Sequence, residues 1–228
     1  MKLIISIIII LILAFLIKRS KALDNKGVIG ASIMGFTLLY FCGVKYFILL
    51  LSFFILGSLV SKIGLKEKRK YKLEETQRSL KNVLANGLIP FIFALLSILS
   101  PIFLPAFTGS LSTAASDTFS SEIGVLSKEK PILITTLKPV EKGEDGAVSK
   151  LGLLAGFLGS LSIGIFSYIL FNDFKLLIST AVSGFLGNLF DSILGALFER
   201  RGLIDNEITN LLATLFGGLI GILIYVIL

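Results

Sequence analysis

The chain has 228 residues, of which 54% are hydrophobic and 16% are charged, and its formal net charge is +7. A mean hydropathy of +0.92 excludes a soluble globular domain and indicates a polytopic membrane protein. The sequence contains no histidine, which excludes histidine general bases, phosphohistidine chemistry and imidazole metal ligands. The single cysteine, Cys42, excludes an intrachain disulfide.

Eight apolar segments predict an all-α polytopic integral membrane helical bundle, with about seven to eight transmembrane helices in a single domain over residues 1–228. The first segment is expected to remain as a helix, because basic residues follow it and it has no small-residue cleavage site. Cytoplasmic loops are expected at about 62–84, 128–148 and 199–206. The predicted spans are 3–17, 28–44, 46–60, 88–107, 109–126, 151–171, 176–198 and 208–228.

The distribution of basic residues predicts the orientation of these spans. Most Lys and Arg residues lie in alternate connections, and if those connections face the cytoplasm, the outer ones carry only Lys2, Lys45 and Lys175. Such an asymmetry is typical of membrane proteins, whose short cytoplasmic loops are enriched in Lys and Arg. We therefore expect a multi-pass protein of the cell membrane, with any polar site open to the cytoplasm.

Three carboxylates fall within predicted spans. Asp117 and Glu122 lie in the fifth segment and Asp191 lies in the seventh. An ionisable group at membrane depth costs about 3 kcal/mol or more, so it usually lines a cavity, pairs or functions. Both segments run inward, and Asp117 precedes Lys128 by eleven residues while Asp191 precedes Arg200 by nine, so both carboxylates lie roughly 14 to 16 Å below the basic loops. We expect the three carboxylates to be catalytic and to bind Mg²⁺, a hard cation that prefers oxygen ligands.

Polar side chains at a spacing of four predict the walls of this cavity. Arg78, Asn82 and Asn86 would share one helical face, and Asn206 and Asn210 would share another. All five are candidates for binding substrate or nucleotide. The other candidates for this role are Thr118, Ser121, Lys138, Gly146, Ser149, Asn188 and Ser192.

The loop between the fifth and sixth spans carries two weaker signals. Apolar alternation over Pro131 to Val140 predicts a short hairpin. Glycines at 143 and 146 precede a helix expected to begin near Ala147, where free backbone N–H groups can bind a phosphate. The glycines, lysine and hydroxyl of a P-loop are not present in the required order.

Most of the polar positions lie within the segments RSLKNVLANG (78–87), SDTFSSEIG (116–124), LITT (133–136), GAVS (146–149), GFLGNLFDSILGA (184–196) and NEITNLLAT (206–214). In combination, these six segments resemble the transmembrane protein 19 family, whose plant members are phytyl-phosphate kinases. The resemblance implies phosphoryl transfer from a nucleoside triphosphate, with CTP expected, to a prenyl monophosphate. The expected partners are therefore a nucleotide with Mg²⁺ and a membrane prenyl phosphate, with no nucleic acid and no assigned oligomeric state.

Several alternatives stay open at the level of sequence. A CTP-dependent lipid cytidylyltransferase would use the same acidic floor but release pyrophosphate, and a polyprenol kinase would phosphorylate a hydroxyl. A secondary transporter would also carry polar residues in broken helices, with access from both sides. Asp117 and Asp191 would otherwise be structural polar contacts between helices.

Overall fold

The computed structural model describes residues 1–71 and 77–228 and is 76% helical. A π-helical turn, Leu38–Cys42, continues the helix that reaches Thr37, and a 3-10 turn, Glu199–Arg201, follows the helix that ends at Leu197. The described helices are α1 (Lys2–Ser20), α2 (Asn25–Thr37), α3 (Val44–Val60), α4 (Leu65–Lys70), α5 (Leu80–Leu96), α6 (Phe103–Gly124), α7 (Lys150–Phe171), α8 (Phe174–Leu197) and α9 (Asn206–Ile227), and the strands are β1 (Ile132–Leu133) and β2 (Ala147–Val148).

Within residues 1–71 and 77–228, four helical segments are long and apolar enough to cross a membrane: α1, α7, α8 with its following turn, and α9. Two further apolar helices, α3 and α5, have 17 residues each. The predicted all-α membrane fold is confirmed. The number of crossings, about seven to eight, stays a prediction.

The polar helix α6 lies at the centre of the bundle, in contact with α3, α5, α7, α8 and α9. Every residue from Pro105 to Ser116 is buried. Ser112 Oγ donates to the Ser160 carbonyl at 3.2 Å, and Ser116 Oγ donates to the Gly156 carbonyl at 2.8 Å. Because hydrocarbon offers no hydrogen-bond partners, hydroxyls at this depth must be satisfied by neighbouring helices. The expectation that other helices wrap the fifth segment is confirmed.

Glycines on α8 and α9 let these helices approach α6 closely. A Cβ atom at Gly184 would meet Ser112 Oγ, and one at Gly217 would meet Thr113 Oγ1. Small residues at such positions are the usual way in which membrane helices pack against each other. The distance between α6 and α8 is therefore set by backbone contact, which fixes where their carboxylates lie.

The predicted fourth span, 88–107, is wrong in both boundaries. The helix α5 begins eight residues earlier because Ser79 and Asn82 form a capping box, in which the Ser79 backbone N–H donates to Asn82 Oδ1 at 2.9 Å. A local polar cap therefore overrides the hydropathy pattern. The segment 62–84, which was expected to be a cytoplasmic loop, contains the helix α4 and the first residues of α5. Its residues 72–76 lie outside the described structure.

The hairpin predicted for Pro131 to Val140 is present. Leu133 N donates to the Lys138 carbonyl at 2.9 Å, and Val140 N donates to the Pro131 carbonyl at 3.0 Å. The strand β2 pairs antiparallel with β1 on its other side. The helix expected to begin near Ala147 therefore begins later, at Lys150, because Ala147 lies in β2.

The close packing of α9 on α6 can be tested at Gly217. We expect Gly217→Ala to lower the free energy of unfolding by about 1–3 kcal/mol, because the added methyl group would overlap the buried Thr113 side chain and approach the Gly109 carbonyl. Circular dichroism of detergent-solubilised protein during heating measures the effect. Gly35→Ala is the matched control, since its nearest atoms are the ends of the Ile10 and Phe47 side chains at 3.3 Å. Equal unfolding midpoints for the two variants would contradict the packing described.

Candidate active site

A polar cavity of about 490 Å³ lies between α5, α6, α8, α9 and the loop that precedes α7. It is lined by all but one of the side chains that the sequence predicted for the site. The predicted residues that line it are Arg78, Asn82, Asn86, Asp117, Thr118, Ser121, Glu122, Gly146, Ser149, Asn188, Asp191, Ser192, Asn206 and Asn210.

Asp117 on α6 and Asp191 on α8 form the acidic floor of the cavity. Both side chains line it, and the charges of Asp117 and Glu199 act on Asp191. Among the described residues, the buried Oδ2 atom of Asp191 has no hydrogen-bond partner. An unpartnered buried carboxylate oxygen is strongly unfavourable. A cation at the floor would remove this penalty.

Glu199 also lines the cavity, and the sequence did not predict it as a site residue. It lies in the turn after α8, where its Oε2 accepts a hydrogen bond from Thr209 Oγ1 at 3.0 Å. Glu199 follows Asp191 by eight residues, which is about 80° around a helix, and it lies beyond the end of α8. Helical spacing therefore did not indicate it, and the adjacent Arg200 and Arg201 are typical of a cytoplasmic loop.

The carboxylates fit a metal ion only in part. In residues 1–71 and 77–228, no group of three or more Cys, Asp or Glu side chains is placed to hold one. The predicted ligand set of Asp117, Glu122 and Asp191 is therefore not assembled. Mg²⁺ is commonly held by one or two carboxylates together with substrate phosphates. Asp117 and Asp191, with the unpartnered oxygen of Asp191, fit that kind of site.

Glu122 has a different partner. Lys68 on α4 is 1% exposed, and its Nζ donates to Glu122 Oε2 and, at 3.1 Å, to the Ser61 carbonyl. Arg78 Nη2 lies 3.9 Å from Glu122 Oε1. The five residues from Asp117 to Glu122 span well over one helical turn, so the two side chains leave α6 in different directions. Glu122 therefore joins α4 to α6, and its charge is already balanced.

Arg78 does not belong to the helical stripe predicted with Asn82 and Asn86. It precedes the cap of α5 and lies in an extended segment, where its N–H donates to the Ala22 carbonyl at 3.1 Å and its carbonyl accepts from Asp24 N at 2.9 Å. Its Nη2 donates to Ser61 Oγ at 3.1 Å. The backbone contacts fix Arg78 at the cavity wall independently of α5.

Amide side chains form much of the remaining wall. On α5, Asn86 Nδ2 donates to the Asn82 carbonyl at 3.1 Å. On α9, Asn210 Nδ2 donates to Asn206 Oδ1 at 3.1 Å. Asn188 on α8 is 2% exposed. Its side chain has room only because residue 156 on α7 is a glycine, since a Cβ atom there would lie 2.6 Å from Asn188 Nδ2.

Gly146 and Ser149 have packing roles in addition to lining the cavity. Gly146 has a φ of +75°, and a Cβ atom there would meet the backbone of Ala196 on α8. Ser149 caps α7 by accepting from Gly152 N at 3.1 Å, and its Oγ donates to the Gly124 carbonyl at 3.2 Å. These contacts hold the loop that precedes α7 against α8, through Gly146, and against the end of α6, through Ser149.

Lys138 is the one predicted site residue that the cavity does not include. Its side chain is exposed on the hairpin turn, because the hairpin directs this part of the loop away from the bundle. Lys142 lines the cavity instead, with its Nζ 4.9 Å from the centre of the Tyr71 ring. Glu144 also lines the rim, and its Oε2 lies 2.8 Å from Arg200 Nη2. The rim thus mixes basic and acidic groups.

The ion pair between Lys68 and Glu122 predicts a structural effect. Glu122→Gln should lower the free energy of unfolding by about 3 kcal/mol, because it leaves the charge of the buried Lys68 without its carboxylate partner. Lys68→Met should lower it by a smaller amount, because Arg78 remains 3.9 Å from Glu122. The double variant should lose less than the sum. Thermal unfolding by circular dichroism provides the measurement. The exposed pair Lys70 and Glu67 is the control, and the same substitutions there should leave the midpoint unchanged. Additive losses would show that the buried residues do not interact.

Comparisons with known proteins place this chain among membrane proteins. An uncharacterized membrane protein of Methanocaldococcus jannaschii is 59% identical over 98% of this chain and 94% of its own length. Protein PGR of Arabidopsis thaliana is 33% identical over 88% of this chain and 80% of its own. Protein VTE6, chloroplastic, also of Arabidopsis thaliana, is 29% identical over 88% of this chain and 65% of its own.

No solved structure matches this chain. The family described as integral membrane protein DUF92 matches residues 8–218, which is most of the sequence. The chain therefore belongs to the integral membrane protein DUF92 family.

Proposed function

We propose that this protein is a Mg²⁺-dependent kinase that transfers a phosphoryl group from a nucleoside triphosphate, with CTP expected, to a prenyl monophosphate of phytyl or geranylgeranyl type. The observation that carries the proposal is the pair Asp117 and Asp191, which line one polar cavity from two packed helices. The prenyl acceptor comes from the resemblance to the transmembrane protein 19 family. The similarity of this chain to two Arabidopsis thaliana proteins, PGR and VTE6, supports that resemblance.

The reaction makes little demand on acid–base chemistry. An oxygen of the acceptor phosphate attacks the γ-phosphorus, the bond to the β,γ-bridging oxygen breaks, and the nucleoside diphosphate leaves. The attacking oxygen of a phosphate monoester is already ionised near neutral pH, so no general base has to remove a proton. A site without histidine can therefore perform this step through positioning and charge stabilisation.

The residues of the cavity can take distinct roles in this transfer. Asp117 and Asp191 would hold Mg²⁺, which neutralises phosphate charge when bound. Arg78 lines the same cavity, and its guanidinium can donate to phosphate oxygens in a fixed geometry. Asn82 and Asn86 provide uncharged polar groups beside it. An acidic floor and a cationic wall together suit a metal-bound nucleotide next to a second phosphate.

Replacing the two aspartates tests the metal role. Asp117→Asn and Asp191→Asn keep the size of the side chain but remove the charge that a divalent cation requires. We expect folded proteins with at least about 100-fold lower turnover, because charge stabilisation by the metal contributes several kcal/mol to catalysis. Purified protein with geranylgeranyl phosphate, Mg²⁺ and each nucleoside triphosphate is assayed for prenyl diphosphate.

Asp173→Asn is the matched control for that experiment. Asp173 caps α8 by accepting from Leu176 N at 3.3 Å, at the opposite end of the helix from Asp191, and asparagine caps helices equally well. Turnover of this variant should match the wild type. Release of pyrophosphate in place of nucleoside diphosphate would identify a cytidylyltransferase, and full activity in the two cavity variants would remove both aspartates from the chemistry.

The proposal also requires that the cavity face the compartment that contains nucleotide. In a Cys42→Ala background, a cysteine in place of Lys142 should resist an impermeant thiol reagent in intact cells and react after permeabilisation, because basic loops are retained inside. A cysteine in place of Lys45, at the other end of the bundle, should react in intact cells. The reverse pattern would place the cavity outside.

A further inference from the structure

A second cavity, of about 100 Å³, lies between α1, α2, α3 and α5. Its lining is almost entirely apolar and includes Ile10 and Ala14 on α1, Ala31 on α2 and Phe54 on α3. The phosphoryl-transfer chemistry makes no use of these residues. An apolar hollow of this kind favours a hydrocarbon over a polar group or water.

The two cavities share one wall. Arg78, Asn82 and Asn86 line the polar cavity and also the apolar one. Pro90 has no N–H to offer to the Asn86 carbonyl four residues earlier, which adds a polar atom to this stretch of α5. An amphiphile could place its polar group in the polar cavity and its apolar chain in the apolar cavity. The junction between the two parts of the ligand would then lie beside the Arg78 guanidinium and the Asn82 and Asn86 amides.

The apolar cavity is bounded on its outer side by a helix that the rest of the bundle hardly covers. In α1, Ser6 is the one residue that is buried, and large side chains such as Leu11 and Phe15 are exposed. A helix with this composition faces lipid over most of its circumference. A chain longer than the cavity can therefore continue along α1 into the surrounding hydrocarbon.

We propose that this apolar cavity binds the hydrocarbon chain of the acceptor lipid monophosphate, and that its phosphate lies at Arg78, Asn82 and Asn86. The inference rests on the proposed function and adds the location of the acceptor. It assigns Ala14 and Ala31 as residues that determine which chains are accepted. The guanidinium of Arg78 matches the charge of the phosphate, and the nucleotide occupies the acidic side of the polar cavity.

Filling the apolar cavity tests the assignment. Ala31→Phe should raise the KM for geranylgeranyl phosphate by about tenfold or more, because the phenyl ring would occupy the space that the hydrocarbon chain fills. The KM for the nucleotide and the turnover of dimethylallyl phosphate, whose chain is short, should not change. Ile33→Phe is the matched control, since Ile33 is 61% exposed on the same helix and does not line the cavity. Ala14→Phe, with Leu11→Phe as its control, repeats the test on α1.

A binding measurement separates this inference from the proposed function. A prenyl monophosphate with a diazirine near the end of its chain is photolysed with the wild-type protein, and labelled peptides are identified by mass spectrometry. Labels on α1 and α2 that Ala31→Phe abolishes support the inference, even if no turnover occurs and the kinase proposal fails. Normal turnover with labels elsewhere, or with unchanged labelling in the filled variants, overturns the inference and leaves the kinase proposal in place. Labels elsewhere without turnover contradict both.

Discussion

Polar groups at membrane depth are costly unless they find partners within the protein or line a polar cavity. In this chain the constraint acts mainly on α6, which contains more hydroxyl groups than any other long helix. Ser112 and Ser116 donate to carbonyls of α7, and glycines of α8 and α9 bring those helices into contact with Thr113 and its neighbours. The buried stretch from Pro105 to Ser116, about three turns of packed helix, therefore precedes the point at which Asp117 faces the cavity.

The charges of the cavity divide into a balanced side and an unbalanced side. Glu122 is paired with the buried Lys68 and lies near Arg78. On the other side, Asp191 experiences the charges of Asp117 and Glu199, and one of its oxygens has no hydrogen-bond partner among the described residues. Electrostatic repulsion between such carboxylates decreases when a divalent cation binds. The most unfavourable part of the cavity is thus the part that would bind Mg²⁺.

Hydropathy and helical spacing predicted the all-α membrane fold and most of the helical residues that line the cavity, because both depend on local patterns. The number of residues between each aspartate and the next basic loop is also a local property, and it predicted that Asp117 and Asp191 lie at a similar depth. Local patterns were insufficient at several positions. The start of α5 depends on a polar cap at Ser79, the partner of Glu122 lies 54 residues away, and the direction of the hairpin decides that Lys142 rather than Lys138 reaches the cavity.

The most direct test of the account is electron paramagnetic resonance of Mn²⁺, which replaces Mg²⁺ at oxygen sites. With CTP present, the wild-type protein should bind Mn²⁺, and without nucleotide the binding should be much weaker, because phosphates complete the ligand set. The Asp117→Asn and Asp191→Asn variants should lose this nucleotide-dependent binding, whereas Asp173→Asn should retain it. Equal Mn²⁺ binding by all four proteins would contradict the assignment of the two cavity aspartates as metal ligands.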